Sequence, residues 1–305
     1  MNTYKRLSKV YENAKVIPYN NHSKFVIMSD CHRGVGNSGD NFLRNQHIFF
    51  AALNDYYEKG FTYIELGDGD ELWENRSMDK IIEIHSNSFW LMSKFYEENR
   101  LYMIYGNHDK QKKDKKFLKN SFYGYYCESR KKFCSLFPML EVHEGLILEN
   151  QDNENHRIFL AHGHQGDLIN DDLYKLGRFL VRYLWRTAEI WGLNDPTAAG
   201  KNYSKKNRVE RKLTNWAEEE NKMLIAGHTH RPTFPNVGEI MYFNDGSCIH
   251  PRCITAIEIE GGCISLVKWS VMTRKDRTMY VEREILEGPA KLEDYFESSK
   301  ISEEV

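Results

Sequence analysis

The 305-residue chain contains no run of about eighteen apolar residues, and so no sequence able to cross a bilayer as a helix. Its opening Met1-Asn2-Thr3-Tyr4-Lys5-Arg6 leads into charged, interrupted sequence without the apolar centre of a secretory leader, so an ordinary export signal is not expected. Cysteine is sparse: Cys31, Cys127, Cys134, Cys248, Cys253 and Cys263 form neither a dense disulfide framework nor the close doublets of a structural zinc site. The expected setting is therefore reduced and cytoplasmic. A formal charge of -2 gives no global attraction to nucleic acid or to an anionic membrane, so any basic surface must be local. A nucleotide-binding glycine loop is also missing, because Gly67-Asp68-Gly69-Asp70-Glu71 has the wrong spacing for one.

What is present is a series of five metal-ligand clusters: Asp30-Cys31-His32, Gly67-Asp68, Gly106-Asn107-His108-Asp109, Ala161-His162-Gly163-His164 and Gly227-His228-Thr229-His230. Each follows a short, bulky, strand-forming run, at 25–28, 61–64, 101–104, 157–160 and 223–226. Loops leaving the carboxyl ends of strands gather along one edge of an open α/β sheet, where residues distant in sequence converge.

The intervening sequence has the βαβ rhythm of sheets faced by helices. Tyr4, Leu7, Val10, Tyr11 and Ala14 predict an amphipathic opening helix. A crossover helix is expected between Asp40 as N-cap and Gly60 just past its end, and another over 79–98. Two stretches break the rhythm. Residues 110–138, basic and then aromatic, read as a helical surface excursion; 167–222, with helices over 171–191 and 209–220, read as a helical cap between two ligand strands. Beyond His230, 240–243, 253–259 and 264–269 predict antiparallel strands of a second sheet, with Gly261-Gly262 as a hairpin turn. One domain over 1–275 with these two insertions follows, and 276–305 is a charged C-terminal segment expected as a solvated tail.

Residues two apart at a strand end point the same way, so Asp30 and His32 can grip one ion while Cys31 turns away, and His228 and His230 are aligned likewise. Asp68 is the natural bridging carboxylate, Asn107 offers a neutral oxygen, and His162 completes a second site. Nitrogen and oxygen donors without thiolate suit Mn²⁺, or Fe or Zn²⁺, rather than Ca²⁺. Two such ions lower the pKa of a bridging water from about 15.7 toward roughly 7, so hydroxide becomes the nucleophile. The positive charge left over favours a phosphate ester. His108, next to Asn107, is the candidate for stabilising the transition state or protonating the leaving oxygen, with Asp109 holding its ring. Alone, Asp30-Cys31-His32 reads more cheaply as polar residues on the surface and Gly106-Asn107-His108-Asp109 as a turn, while Gly227-His228-Thr229-His230 is balanced between loop and ligand; their joint occurrence carries the metal reading.

At these residues the chain resembles the calcineurin-like metallophosphoesterases, whose blocks run Asp-x-His, Gly-Asp-x-x-Asp/Glu, Gly-Asn-His-Asp/Glu, His and Gly-His-x-His, over about 25–270 here. The resemblance implies an α/β fold, a four-layer αββα sandwich of two mixed β-sheets flanked by helices. It implies Asp30, His32, Asp68 and His230 around one metal and Asp68, Asn107, His162 and His228 around the other. Within the family the chain looks most like the UDP-2,3-diacylglucosamine hydrolase branch, through Glu71, Trp73, His162-Gly163, Asp167, Asp171, Asp172, Tyr174, Arg178 and Arg182. It departs from that branch at His108, where arginine is usual, and at His164, where aspartate is usual. The Asp-Arg-Gly of protein phosphatases is replaced by Glu71-Leu72-Trp73. His162 matches the family ligand, leaving His164 behind it or against substrate.

Two readings of the cap stay open. Arg178, Arg182 and Arg186 form one helical stripe, and Arg178 and Arg182 with Tyr174 would meet a diphosphate; alternatively they are solvated or paired with acids. Arg33 is a further candidate phosphate contact. The expected function is a dinuclear metal-dependent phosphoesterase acting on a phosphodiester, pyrophosphate or phosphomonoester by attack of a metal-bridging hydroxide, in its specific form a UDP-2,3-diacylglucosamine hydrolase-like pyrophosphatase. The alternative is a general phosphatase, nucleotidase or nuclease, the last drawing on the lysines of 110–119. A non-catalytic scaffold of the same fold would betray itself by lost ligands, and every position is filled. The expected partner is a small phosphate ester or nucleotide-linked substrate, not nucleic acid. The cap's aromatics and arginines leave open a peripheral membrane contact, against a buried helix face, and the oligomeric state is undetermined.

Overall fold

Strands buried on both faces read as unbroken apolar runs, and this is the pattern of the ligand strands. The computed structural model describes residues 2–127, 131–165 and 203–301. In chain order its elements are α1 (Thr3–Glu12), β1 (Lys15–Tyr19), β2 (Lys24–Met28), α2 (Gln46–Glu58), β3 (Thr62–Leu66), α3 (Met78–Ile84), α4 (Ser86–Glu97), β4 (Leu101–Ile104), α5 (Lys115–Ser121), β5 (Gly124–Cys127), β6 (Lys132–Ser135), β7 (Val142–His143), β8 (Gly145–Asn150), β9 (Arg157–Ala161), α6 (Tyr203–Glu219), β10 (Met223–Ala226), β11 (Tyr242–Asn244), β12 (Cys253–Glu260), β13 (Cys263–Thr273), β14 (Met279–Lys291) and α7 (Leu292–Ile301).

Two mixed sheets result, a seven-stranded one ordered β14-β13-β12-β2-β3-β4-β7 and a five-stranded one ordered β1-β8-β9-β10-β11. Three buried cores separate four layers. Val26 and Met28 pack outward under Phe49, Leu53, Phe89 and Phe95 of α2 and α4. Phe25 and Ile27 point the other way, meeting Leu148, Leu160 and Ile225 of the facing sheet. The outer face of the five-stranded sheet, with Phe159 and Leu224, is covered by Leu7 and Val10 of α1 and Leu213 and Trp216 of α6. The alternation of one strand's side chains between two cores makes the αββα sandwich.

Several expectations change. The ligand strands do not share one sheet: β2, β3 and β4 lie in the larger sheet, β9 and β10 in the smaller. The C-terminal strands β12 and β13 are antiparallel as expected, but they extend the first sheet through pairing of β12 with β2; β11 instead lies parallel to β10 in the second. Gly261 and Gly262 do turn the hairpin, both at positive φ (61° and 71°). The helix expected over 79–98 is two helices, broken at His85, whose ring pairs with Asp40 Oδ2 at 2.8 Å. Asp40 instead precedes a short 3-10 turn, Asn41–Arg44, and the crossover helix starts after Asn45. Residues 110–138 are helical only to Ser121 and continue as the β5–β6 hairpin. The charged helix assigned to the cap is α6, seated on the second sheet because Leu213, Trp216 and Ala217 form an apolar stripe under its charges. The expected solvated tail supplies β14 and α7, with Leu292 and Tyr295 buried in the inter-sheet core. Tyr174, Arg178 and Arg182, and with them the proposed lipid contact of the cap, lie outside the described residues. Among the described residues no helix is long and apolar enough to cross a membrane.

Candidate metal centre

The loops after β2, β3, β4, β9 and β10 meet at one edge of the sandwich, stitched by main-chain bonds. Asp30 N donates to Gly67 O (3.0 Å), His32 N to Asp68 O (2.9 Å) and Gly227 N to His162 O (3.1 Å). Asp30, His32, Asp68, His228 and His230 all take left-handed backbone, with φ between 48° and 66°. Such conformations cost roughly 1–3 kcal/mol each for non-glycine residues and persist where surrounding bonds over-determine them. Strand alternation therefore does not aim these side chains; tight left-handed turns do, and the expected alignment of His228 with His230 fails for that reason. Close packing explains the neighbouring glycines: a Cβ on Gly106 would stand 2.1 Å from Asp68 Oδ1, and one on Gly227 2.3 Å from Ser29 Oγ.

The side chains form two groups, Asp30 with His32 and His230, and Asp68 with His162 and His228. Asp30 Oδ1 lies 2.9 Å from His230 Nε2 and 3.5 Å from His32 Nε2, and Asp68 Oδ2 lies 3.1 Å from His162 Nε2 and 3.9 Å from His32 Nε2. Asp68 thus faces both groups. Among the described residues, Asn107 Oδ1 is buried without a hydrogen-bond partner, and Asp30 Oδ1, His32 Nε2 and His162 Nε2, equally buried, meet only one another and the facing Asp68 and His230 across the centre, an arrangement of convergent donor atoms that suits a shared ligand. The other imidazole nitrogens are committed: His32 Nδ1 to Glu71 Oε2 (3.0 Å) and His162 Nδ1 to Leu66 O (2.9 Å), which leaves Nε2 of each to face the centre. His164 is fully buried with its ring 5.5 Å from that of His162 and belongs to neither group.

Burial opposes charge here, yet the pairs win. Burial pulls the His162 pKa down, but Asp68 and then Asp30 push it up to about 9. Burial raises Asp68, and His162 and His108 outweigh it, holding the carboxylate well below its usual range. Without an ion, protons on the imidazoles supply the countercharge.

His108 sits beside this centre, its backbone N donating to Asp68 Oδ1 (2.8 Å). Its Nδ1 lies 2.7 Å from Glu71 Oε2, so Glu71 touches both His108 and His32. Trp73 stacks on the His108 ring at 4.4 Å and donates Nε1–H to Asn107 O (2.6 Å). Burial lowers His108, and Glu71 and Asp68 more than reverse this, raising its pKa above the ordinary value. The expected role of Asp109 is not seen: its carboxylate turns away and accepts from Gly106 N (2.7 Å) and Gly69 N (3.1 Å). Arg33 is likewise no phosphate contact in this arrangement. It is fully buried, with Nε 2.8 Å from Asp70 Oδ1 and Nη2 2.7 Å from Glu65 Oε2, because the pairing of residues 33 and 70 turns it toward the helix layer.

A sixth loop escaped the sequence reading. Ser29 Oγ donates toward Asp245 Oδ1 (2.7 Å) and lies 2.5 Å from Asp30 Oδ2, while Asn244 Nδ2 donates to Gly227 O (2.8 Å). The polar Asn244-Asp245-Gly246-Ser247 after an apolar run was the available signal.

Among solved structures, the chain is similar to Vps29 of Chaetomium thermophilum, at 11% identity and a TM-score of 0.40, covering 87% of this chain and 96% of that one. No curated protein matches it. The model of the calcineurin-like phosphoesterases matches residues 23–232, more than half of the chain and all the loops just described through His230. The chain belongs to the calcineurin-like phosphoesterase family.

Proposed function

We propose that this chain is a dinuclear metal-dependent phosphoesterase that hydrolyses a phosphodiester, pyrophosphate or phosphomonoester. The observation that carries the reading is the convergence of buried nitrogen and oxygen donors in two adjoining groups, Asp30 with His32 and His230 and Asp68 with His162 and His228, with the unpartnered Asn107 Oδ1 beside them. One ion would be held by Asp30, His32, Asp68 and His230, the other by Asp68, Asn107, His162 and His228. Two divalent ions, Mn²⁺ in best accord with mixed nitrogen and oxygen donors, would acidify water and polarise the phosphoryl oxygens.

The chain's own residues would do the rest. Glu71 orients the rings of His32 and His108 together. With Nδ1 of His108 held by Glu71, proton donation to the leaving oxygen falls to Nε2, and the Glu71 carboxylate favours the protonated ring. Trp73 fixes the plane of the ring by stacking. The finer reading, cleavage of a nucleotide-linked pyrophosphate as in the UDP-2,3-diacylglucosamine hydrolases, is supported by Glu71 and Trp73 in the second block and opposed by His108 and His164.

The test is a Mn²⁺-loaded panel of p-nitrophenyl phosphate, bis-p-nitrophenyl phosphate, UDP-sugars and cyclic nucleotides, set against metal-stripped protein. Metal-dependent turnover of at least one class is expected. Absence of turnover across the panel, in protein shown to carry two ions, would overturn the reading.

A further inference from the structure

Behind the candidate centre lies a second charged cluster that the proposed reaction does not use. Arg33, Glu65, Asp70, Asp109 and Lys112 are all fully buried. Lys112 Nζ reaches 2.7 Å to Asp109 Oδ2, 2.8 Å to Asp70 Oδ2 and 3.3 Å to Glu65 Oε1, three acidic partners for the three protons of an ammonium. Arg33 holds Asp70 and Glu65 from the other side. The three carboxylates have the composition of a cation site, and Lys112 fills it with a cation from the chain itself.

The cluster is tied to the ligand loops by main-chain bonds. Asp109 accepts from Gly69 N, the residue after Asp68, and from Gly106 N, the residue before Asn107. One carboxylate therefore clamps the loops that carry the ligands Asp68 and Asn107, and Lys112 holds that carboxylate in place. We propose that Lys112 is a positioning residue whose ammonium locks the loops after β3 and β4 and thereby sets the affinity of the metal centre. The inference rests on the metal-centre reading above. A lysine that only stabilised the fold would leave metal affinity untouched; groups bonded directly to metal ligands typically change it by about 10- to 100-fold, and Lys112, one bond further out through Asp109, is expected near the lower end of that range.

The experiment titrates Mn²⁺ calorimetrically into metal-stripped full-length protein, with a thermal melt of each variant. Lys112→Met should weaken Mn²⁺ binding about tenfold or more. Lys112→Met/Asp109→Asn keeps the cluster's net charge but leaves one acceptor oxygen where the carboxylate had two, so only one loop stays held, and it should show the same weakening in a better-folded protein. Tyr56→Phe, which deletes a buried hydroxyl bonded to Glu258 in the helix-facing core, should lower the melting temperature with affinity unchanged. Wild-type Mn²⁺ affinity in either folded lysine variant overturns the proposal. So does failure of both to fold, since the ammonium would then hold the domain rather than tune the site. Wild-type protein that binds two ions yet hydrolyses nothing would sink the phosphoesterase reading and leave this one standing.

Discussion

Glu65, Asp70 and Asp109 meet a lysine and an arginine, whereas Asp30 and Asp68 meet imidazoles and main-chain amides. Both sets of carboxylates are buried, and their loops are shared. The first set is closed, since its countercharge comes from side chains that stay protonated at any physiological pH. Burial raises Asp70, but Arg33 and Lys112 bring it down to about 2. The second set is open, because its countercharge is protons on imidazoles, which a divalent ion can displace. Two neighbouring carboxylate clusters are thus told apart by what neutralises them, one finished by the fold and the other left for a cofactor.

The strongest way to break the comparison is to remove the carboxylate facing both ligand groups. Asp68→Ala should lose metal loading and turnover together, turnover by at least about a thousandfold, measured by metal content and hydrolysis of bis-p-nitrophenyl phosphate. His108→Ala should keep both ions while kcat falls about 10²- to 10⁴-fold, so a variant with full kcat would remove His108 from the chemistry. In the closed cluster, Asp70→Asn strips a carboxylate from between two buried cations and should cost about 3–5 kcal/mol in denaturant unfolding of the metal-free protein.

The pH dependence separates the clusters by sign. The raised folded-state pKa of His162, about 9, contributes stability to the metal-free protein that is complete below about 6.5 and is lost as pH rises through about 9. Its size is on the order of 3 kcal/mol. Asp70, depressed to about 2, contributes stability present above its ordinary value and lost only as pH falls through about 2. Thermal melts of metal-stripped protein between pH 6 and 9.5 should therefore decline, and Mn²⁺ affinity should rise across the same range. A flat melt profile would show that the imidazoles carry no such charge.

The candidate ligands were legible because each comes shortly after a strand-forming apolar run, and loops at the carboxyl ends of such strands gather at one edge. Asp30, Asp68, Asn107, His162 and His228 needed only that rule. What was hidden depends on local backbone turns or on charge pairing. Left-handed φ at His228 and His230 sends the two rings to different groups, which period-two alternation does not foresee. Arg33 beside His32 reads as a phosphate contact, Asp109 beside His108 as the holder of its ring and Lys112 as one of a solvated lysine run, and only the fold reveals them as members of one charged cluster. The fold was legible in class and layers. The sheet membership of β9 to β12 was not, because both cores are apolar and strand sequence alone does not say which neighbour it joins. Leu292 and Tyr295, buried amid charged residues near the chain end, misled for a similar reason.

Each ligand group draws carboxylate from the seven-stranded sheet and imidazole from the five-stranded one. An ion in either place would act as a rivet between the two halves of the sandwich, independent of the apolar side chains that press them together. Loading should then slow amide hydrogen exchange in β3 and β10 together, and chelation should release both strands as one unit.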